Sequence, residues 1–204
     1  MLFLDHVAVL GESLEEAVAH AEAALRCPML PGGSHPRYGT HNQLLGLGDG
    51  VYVEAIAVDP SAAAPEGARW FGLDRFAGAA RLDKWICRVP DMEAALRALP
   101  MAGAPVALSR GTLRWVMAVP GDGMLPFDGL FPALIEWQSP VPPGISLPES
   151  GTTLERLTVA HPEAGALEDL LGPHLDAPKV RFVTEPRPAL RAELLTPTGP
   201  RLLQ

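Results

Sequence analysis

Cysteine is nearly absent, with only Cys27 and Cys87 in 204 residues. Two thiols are too few for a disulfide framework, so reduced cysteines and a cytoplasmic setting are expected. No stretch approaches the roughly 18 consecutive apolar residues of a membrane span. Basic runs are missing too: lysine occurs only at positions 84 and 179, and the formal net charge is −8. With a sequence pI near 5.2, the chain lacks the positive surface that phosphate binding needs, which argues against nucleic acid and anionic membrane as partners. The opening MLFLDHVAVLGES has no basic n-region and carries Asp5 and His6 inside its apolar run, so it reads as a strand rather than a signal peptide. Several catalytic signatures are absent: no G-x-S-x-G elbow, no P-loop, no strand-linked G-x-G-x-x-G and no H-E-x-x-H. GLGDG at 46–50 is followed by the strand pattern VYVEAIAV, so it reads as a hairpin turn and not as a phosphate cradle.

What is present describes a folding chain. Hydrophobic residues make up 48% and charged residues 20%, an ordinary globular balance. Residues 2–10 read as a strand. Ser13 and Glu16 then form a capping box, and Leu14, Ala17, Val18, Ala21 and Leu25 place one apolar stripe on a helix that ends before Pro28. PGGSHPRYGTHN reads as a loop, QLLGLG as a strand and VYVEAIAV as its antiparallel partner. After a Pro-, Ala- and Gly-rich connector the order returns: RLDKWICRV as a strand, a helix capped by Asp91, then PVALSRGT, LRWVMAVP and ALIEWQS as strands.

The two stretches align with each other. LDHVAV at 4–9 matches LDKWIC at 82–87, and YVEAI at 52–56 matches LIEWQ at 134–138. Each is a βαβββ module. The expected fold is α+β, with a module at 1–58 and another at 80–139 curling into one cup-shaped sheet. A shorter βαββ module at 151–204 reads as a third copy, with Glu193 at the place of Glu54 and Glu136.

Glu54 and Glu136 lie in apolar strands, where a carboxylate is costly to bury without a partner. A repeated costly feature asks for a shared role. In the loop, His35, Arg37, His41 and Asn42 are placed to line the mouth of a cup, with Arg37 or Arg114 to clamp a substrate carboxylate. Gly39, Thr40 and Asn42 also suit a plain turn. Trp70, Trp85, Trp115 and Trp137 suit either a planar ligand or the core.

LDHVAV, GGSHPRYGTHNQLLGLGDGVYVEAIA, WFGLD at 70–74 and the LRW and LIEW pair resemble a glyoxalase-like domain family of the vicinal-oxygen-chelate superfamily. That resemblance implies a cup that holds a divalent metal (Zn, Fe, Mn or Ni) through side chains of both modules. Carried over position by position, His6, Glu54 and Glu136 match metal ligands, and Lys84 stands at the fourth. An ammonium has no lone pair to give a metal. Two functions follow. One is a metal-dependent lyase, isomerase or dioxygenase for a substrate with adjacent oxygens, in which Glu54, Glu136 or His41 moves a proton. The other is a metal-free binding or sequestering protein in which Lys84 replaces the metal, with Lys84, His35, Arg37, Asn42, Trp85 and Arg114 facing the ligand. The expected partners are a small molecule and a second copy of the chain.

Overall fold

The computed structural model describes residues 1–204. Strand β1 (Phe3–Leu10) is buried along almost its whole length. Helix α1 (Leu14–Leu25) starts where Ser13 Oγ accepts from the Glu16 N–H at 3.2 Å, and it buries Ala17, Ala21 and Leu25. The stretch expected to be a loop contains a further strand, β2 (Leu30–His35), paired antiparallel with β3 (Thr40–Gly46). Pro31, Gly32 and Gly33 are tolerated there because β2 is an edge strand with a register shift between Pro31 and Ser34. A tight turn with Asp49 and Gly50 at positive φ leads into β4 (Tyr52–Val58).

The second module repeats the pattern with β5 (Arg81–Arg88), α2 (Met92–Ala98), β6 (Ala104–Arg110), β7 (Leu113–Val119) and β8 (Ala133–Trp137). Asp91 caps α2 by accepting from the Ala94 N–H at 2.9 Å. The two modules form one eight-stranded sheet in the order β2-β3-β4-β1-β5-β8-β7-β6. Each module pairs its first strand in parallel with its last, β1 with β4 and β5 with β8, and the modules join antiparallel through β1 and β5. The join is symmetric, since His6 pairs with Ile86 and Ala8 with Lys84. The sheet curls until its two edges meet, and Arg110 of β6 lies against Gly33 of β2.

A short helix α3 (Pro143–Ser146) leads to the C-terminal unit: β9 (Thr153–His161), α4 (Ala164–Leu171), β10 (Val180–Thr184), β11 (Ala189–Thr196) and β12 (Gly199–Leu203). This corrects the expected βαββ copy in two ways. A third strand, β12, follows the helix, and the sheet order is β10-β9-β11-β12. Here the first strand pairs in parallel with the strand directly after the helix, and β11 pairs antiparallel on its other side. Glu193 is therefore not a counterpart of Glu54; it sits on β11, half exposed, 3.5 Å from Arg156. The unit packs on the main sheet, with Phe182 edge-on to Trp85 at 6.2 Å, and one apolar core runs through both sheets. No helix is long and apolar enough to cross a membrane.

Candidate functional site

Successive side chains of a strand point to opposite faces of a sheet, and this alternation selects what enters the cup. From the first module come His6, His35, Asn42, Leu44, Tyr52 and Glu54; from the second come Arg110, Leu113, Trp115, Met117, Ile135 and Trp137. Trp70 and Phe71 of the connector, with Pro143, complete a cleft of about 430 Å³.

The polar groups of the first module form one chain of contacts on its floor. A register shift between Leu4 and His6 leaves Asp5 as a bulge. That lets two neighbouring side chains meet, His6 Nδ1 lying 2.7 Å from Asp5 Oδ1. Trp137 Nε1–H donates to the other Asp5 oxygen at 3.0 Å. His6 Nε2 faces Glu54 Oε2 at 3.5 Å, and the ring stacks on Tyr52 with centroids 4.4 Å apart. Asn42 donates through Nδ2 to Glu54 Oε1, while Asn42 Oδ1 accepts from the Gly33 N–H at 2.9 Å and from Arg110 Nη1 at 3.2 Å. Arg110 Nη1 also lies 3.2 Å from His35 Nε2. A guanidinium only donates, so Nε2 of His35 is the acceptor and the ring proton is on Nδ1, 3.1 Å from Thr40 Oγ1.

The electrostatics follow from these contacts. Burial opposes charge on His6, but the hydrogen bonds and charges of Asp5 and Glu54 outweigh it and raise the imidazole to about 9. For Glu54, burial pushes upward, and the contact with His6, followed by Asn42 and the other charges, holds the carboxyl below its ordinary value. The two form a buried imidazolium–carboxylate pair. His35 behaves oppositely: burial, helped by Arg110 and His6, pushes it down to about 4, so it is a neutral ring.

Seven sequence-predicted residues enter the cup: His6, His35, Asn42, Glu54, Trp70, Trp115 and Trp137. Six do not. The sheet ladder pairs Ala8 with Glu54 and its symmetry mate Ile86 with Ala133, so Ala133 is the true counterpart of Glu54. Glu136 lies three residues further on. An odd offset turns it to the opposite face, where its Oε2 accepts from the Met92 N–H at 2.6 Å at the start of α2. His41 alternates with Asn42 on β3 and also faces away from the cup; its Nε2 is buried with no partner. Lys84 occupies the symmetry position of His6, yet its ammonium donates to the Asp83 carbonyl at 3.2 Å and pairs with the Asp83 carboxylate, beside Gly129. Trp85 is fully buried core, donating to the Leu130 carbonyl at 2.7 Å. Arg37 and Arg114 are exposed outside the cleft. Asp5, Tyr52 and Arg110 were missed. Asp5 carried a signal, a carboxylate in an apolar strand next to His6, whereas Arg110 carried none.

The donor set does not fit a divalent metal held by both modules. His6 and Glu54 are present on one side, but the cup-facing residues of β8 are Ile135 and Trp137. No group of three His, Cys, Asp or Glu side chains is arranged to hold a metal ion, Asp5 being turned to the far nitrogen of His6, and metal centres of this kind need at least three protein ligands.

The sequence model of a family described as "Glyoxalase-like domain" matches residues 4–174. No curated protein matches the chain. Among solved structures, a hypothetical protein from Staphylococcus aureus is similar over 99% of this chain and 84% of that one, with a TM-score of 0.61 and 15% identity; at that identity it shows the fold alone. A methylmalonyl-CoA epimerase from Mycobacterium tuberculosis is similar over 68% of this chain and 88% of that one, with a TM-score of 0.43 and 22% identity.

Proposed function

The chain belongs to the glyoxalase-like domain family of the vicinal-oxygen-chelate superfamily, and on that premise we propose that its cup holds a small molecule without a bound divalent metal. The carrying observation is the one-sidedness of the donors: His6 and Glu54 face the cleft from the first module, and the second module answers with Ile135, Trp137, Trp115 and Met117. The His6–Glu54 pair takes the place of the cation and closes the local charge within the cup. Lys84 is not that replacement, because it is spent on Asp83. The aromatic walls suit a planar body. In this reading the pair is also the proton-handling unit: His6 Nε2 carries the proton presented to a bound ligand, and Glu54 Oε2, 3.5 Å away, holds the imidazole charged.

A second reading, a metal-dependent lyase, isomerase or dioxygenase for a substrate with adjacent oxygens, is favoured by one observation. His6 Nε2 and Glu54 Oε2 lie 3.5 Å apart with Asp5 behind the imidazole, an arrangement that orients a histidine as a ligand. Elemental analysis of protein purified without chelator or affinity-tag metal separates the two. The metal-free reading expects no stoichiometric metal. Near-stoichiometric metal, lost on His6→Gln or Glu54→Gln, would replace it with the second reading.

A further inference from the structure

We infer that the cup is built for a small planar carboxylate, gripped by Arg110; this rests on the metal-free reading of the same cup. The argument is a census of donors and acceptors. Every carboxylate, amide and imidazole acceptor on the floor is engaged. Asn42 Oδ1 takes Gly33 N–H and Arg110. Glu54 takes Asn42 and faces His6, Asp5 takes His6 and Trp137, and the open nitrogen of His35 takes Arg110.

Donors are left over. Arg110 spends Nη1 on both of its protein partners, so Nε–H and the Nη2 amino group remain without a protein acceptor, and no carboxylate of the chain pairs with it. Trp70, another lining residue, is 4% exposed, and its Nε1–H is buried with no acceptor. The Trp70 donor is sealed within its own packing, whereas the spare N–H groups of half-buried Arg110 stay open at the cleft, so a ligand that brings acceptors finds donors there without displacing a protein partner. The unused Nε–Nη2 edge of a guanidinium presents two parallel N–H groups, which match the two coplanar oxygens of a carboxylate.

The position of Arg110 is built rather than incidental. It is the last residue of β6 and reaches across the closing edges of the sheet. A Cβ at Gly33 would stand 2.8 Å from its Cδ and 3.2 Å from Nε and Nη1, so only a glycine lets the side chain lie where it does. Phe71, Trp115 and Trp137 supply flat apolar wall beside Trp70, which favours a carboxylate on an aromatic or similarly flat body.

The test is calorimetric titration of the full chain in chelator with benzoate, its neutral isostere benzamide, and inorganic phosphate. Benzoate is expected to bind about 10- to 100-fold more tightly than benzamide. Arg110→Gln is expected to lower benzoate affinity by a similar factor and benzamide affinity far less. Arg110→Lys, which keeps charge but not the fork, falls between. Gly33→Ala, whose Cβ would displace the Arg110 side chain, is expected to weaken benzoate about 2- to 10-fold, and it carries the test if Arg110→Gln fails to fold. Equal affinity for benzoate and benzamide, phosphate binding as tight as benzoate, or no binding by any probe would overturn the carboxylate assignment. Binding of benzamide alone overturns the assignment while leaving the metal-free cup in place. Benzoate binding that appears only after Zn²⁺ or Mn²⁺ is added overturns both.

Discussion

Raising the pH should weaken this protein through His6. The imidazole titrates at 6.5 in an unfolded chain and at about 9 in the folded one. A group whose folded value is raised contributes stability that is fully present below the unfolded value and is lost as pH rises through the folded value. The difference corresponds to about 3 kcal/mol, a large share of the roughly 5–15 kcal/mol that holds a domain together. Urea unfolding measured across the window from about 6.5 to about 9 should show the loss, and the His6 ring proton resonances should titrate near the upper end. Glu54→Gln removes one of the two carboxylates that hold the proton, so it should lower the His6 midpoint and shrink the alkaline loss. The depression of Glu54 is the same ion pair seen from its other partner, and its stability contribution is not added to this one. A flat stability profile across that window, or a His6 midpoint at or below 6.5, would refute the reasoning.

The acid side should behave in the mirror sense. His35 is held near 4, so stability present above 6.5 is lost as pH falls toward 4; His35→Gln should flatten that limb in the same unfolding series. Glu136→Gln keeps an acceptor for the Met92 N–H but removes a charge from the start of α2, which should cost about 0.5–1 kcal/mol and leave benzoate affinity unchanged. Lys84→Ala deprives Asp83 of one partner while Arg81 remains at 2.8 Å, so a loss of about 1–3 kcal/mol in denaturant is expected; a tenfold change in benzoate affinity would instead place Lys84 in the cup. Two adjacent glycines should respond differently, Gly32 through Asn42 and Gly33 through Arg110. A Cβ at Gly32 would lie 2.1 Å from Asn42 Oδ1 and 2.6 Å from its backbone oxygen, so Gly32→Ala should destabilise by about 1–3 kcal/mol. Gly33→Ala meets only the flexible Arg110 side chain and should chiefly weaken benzoate, read by calorimetry beside thermal melts.

The misplaced residues share one cause. A strand reverses its facing with every single residue, so Glu136 and His41 each reached the wrong side by an odd offset that pattern matching does not register. The alignment of YVEAI with LIEWQ matched glutamate to glutamate, but the hydrogen-bond ladder matches Glu54 to Ala133. The C-terminal unit misled in a similar way. Strand, helix and strands follow one another in the same order, and only the pairing of β9 with β10 shows a different sheet.

By itself the sequence determined helices α1, α2 and α4, all strands but β2 and β12, and the pairing of two like halves, because capping residues, helical stripes and apolar strands are local and act within a few residues. Ser13, Asp91, the hairpin turn near Asp49 and the costly carboxylate of Glu54 were legible for that reason. Tertiary structure alone decided which side chains share the cleft. Asp5 meets His6 because pairing with β5 forces a bulge, and Arg110 meets Asn42 and His35 only because the two edges of an eight-stranded sheet close on each other at Gly33. Those contacts join residues far apart in the chain, and their geometry comes from sheet curvature and register, which no short stretch of sequence contains.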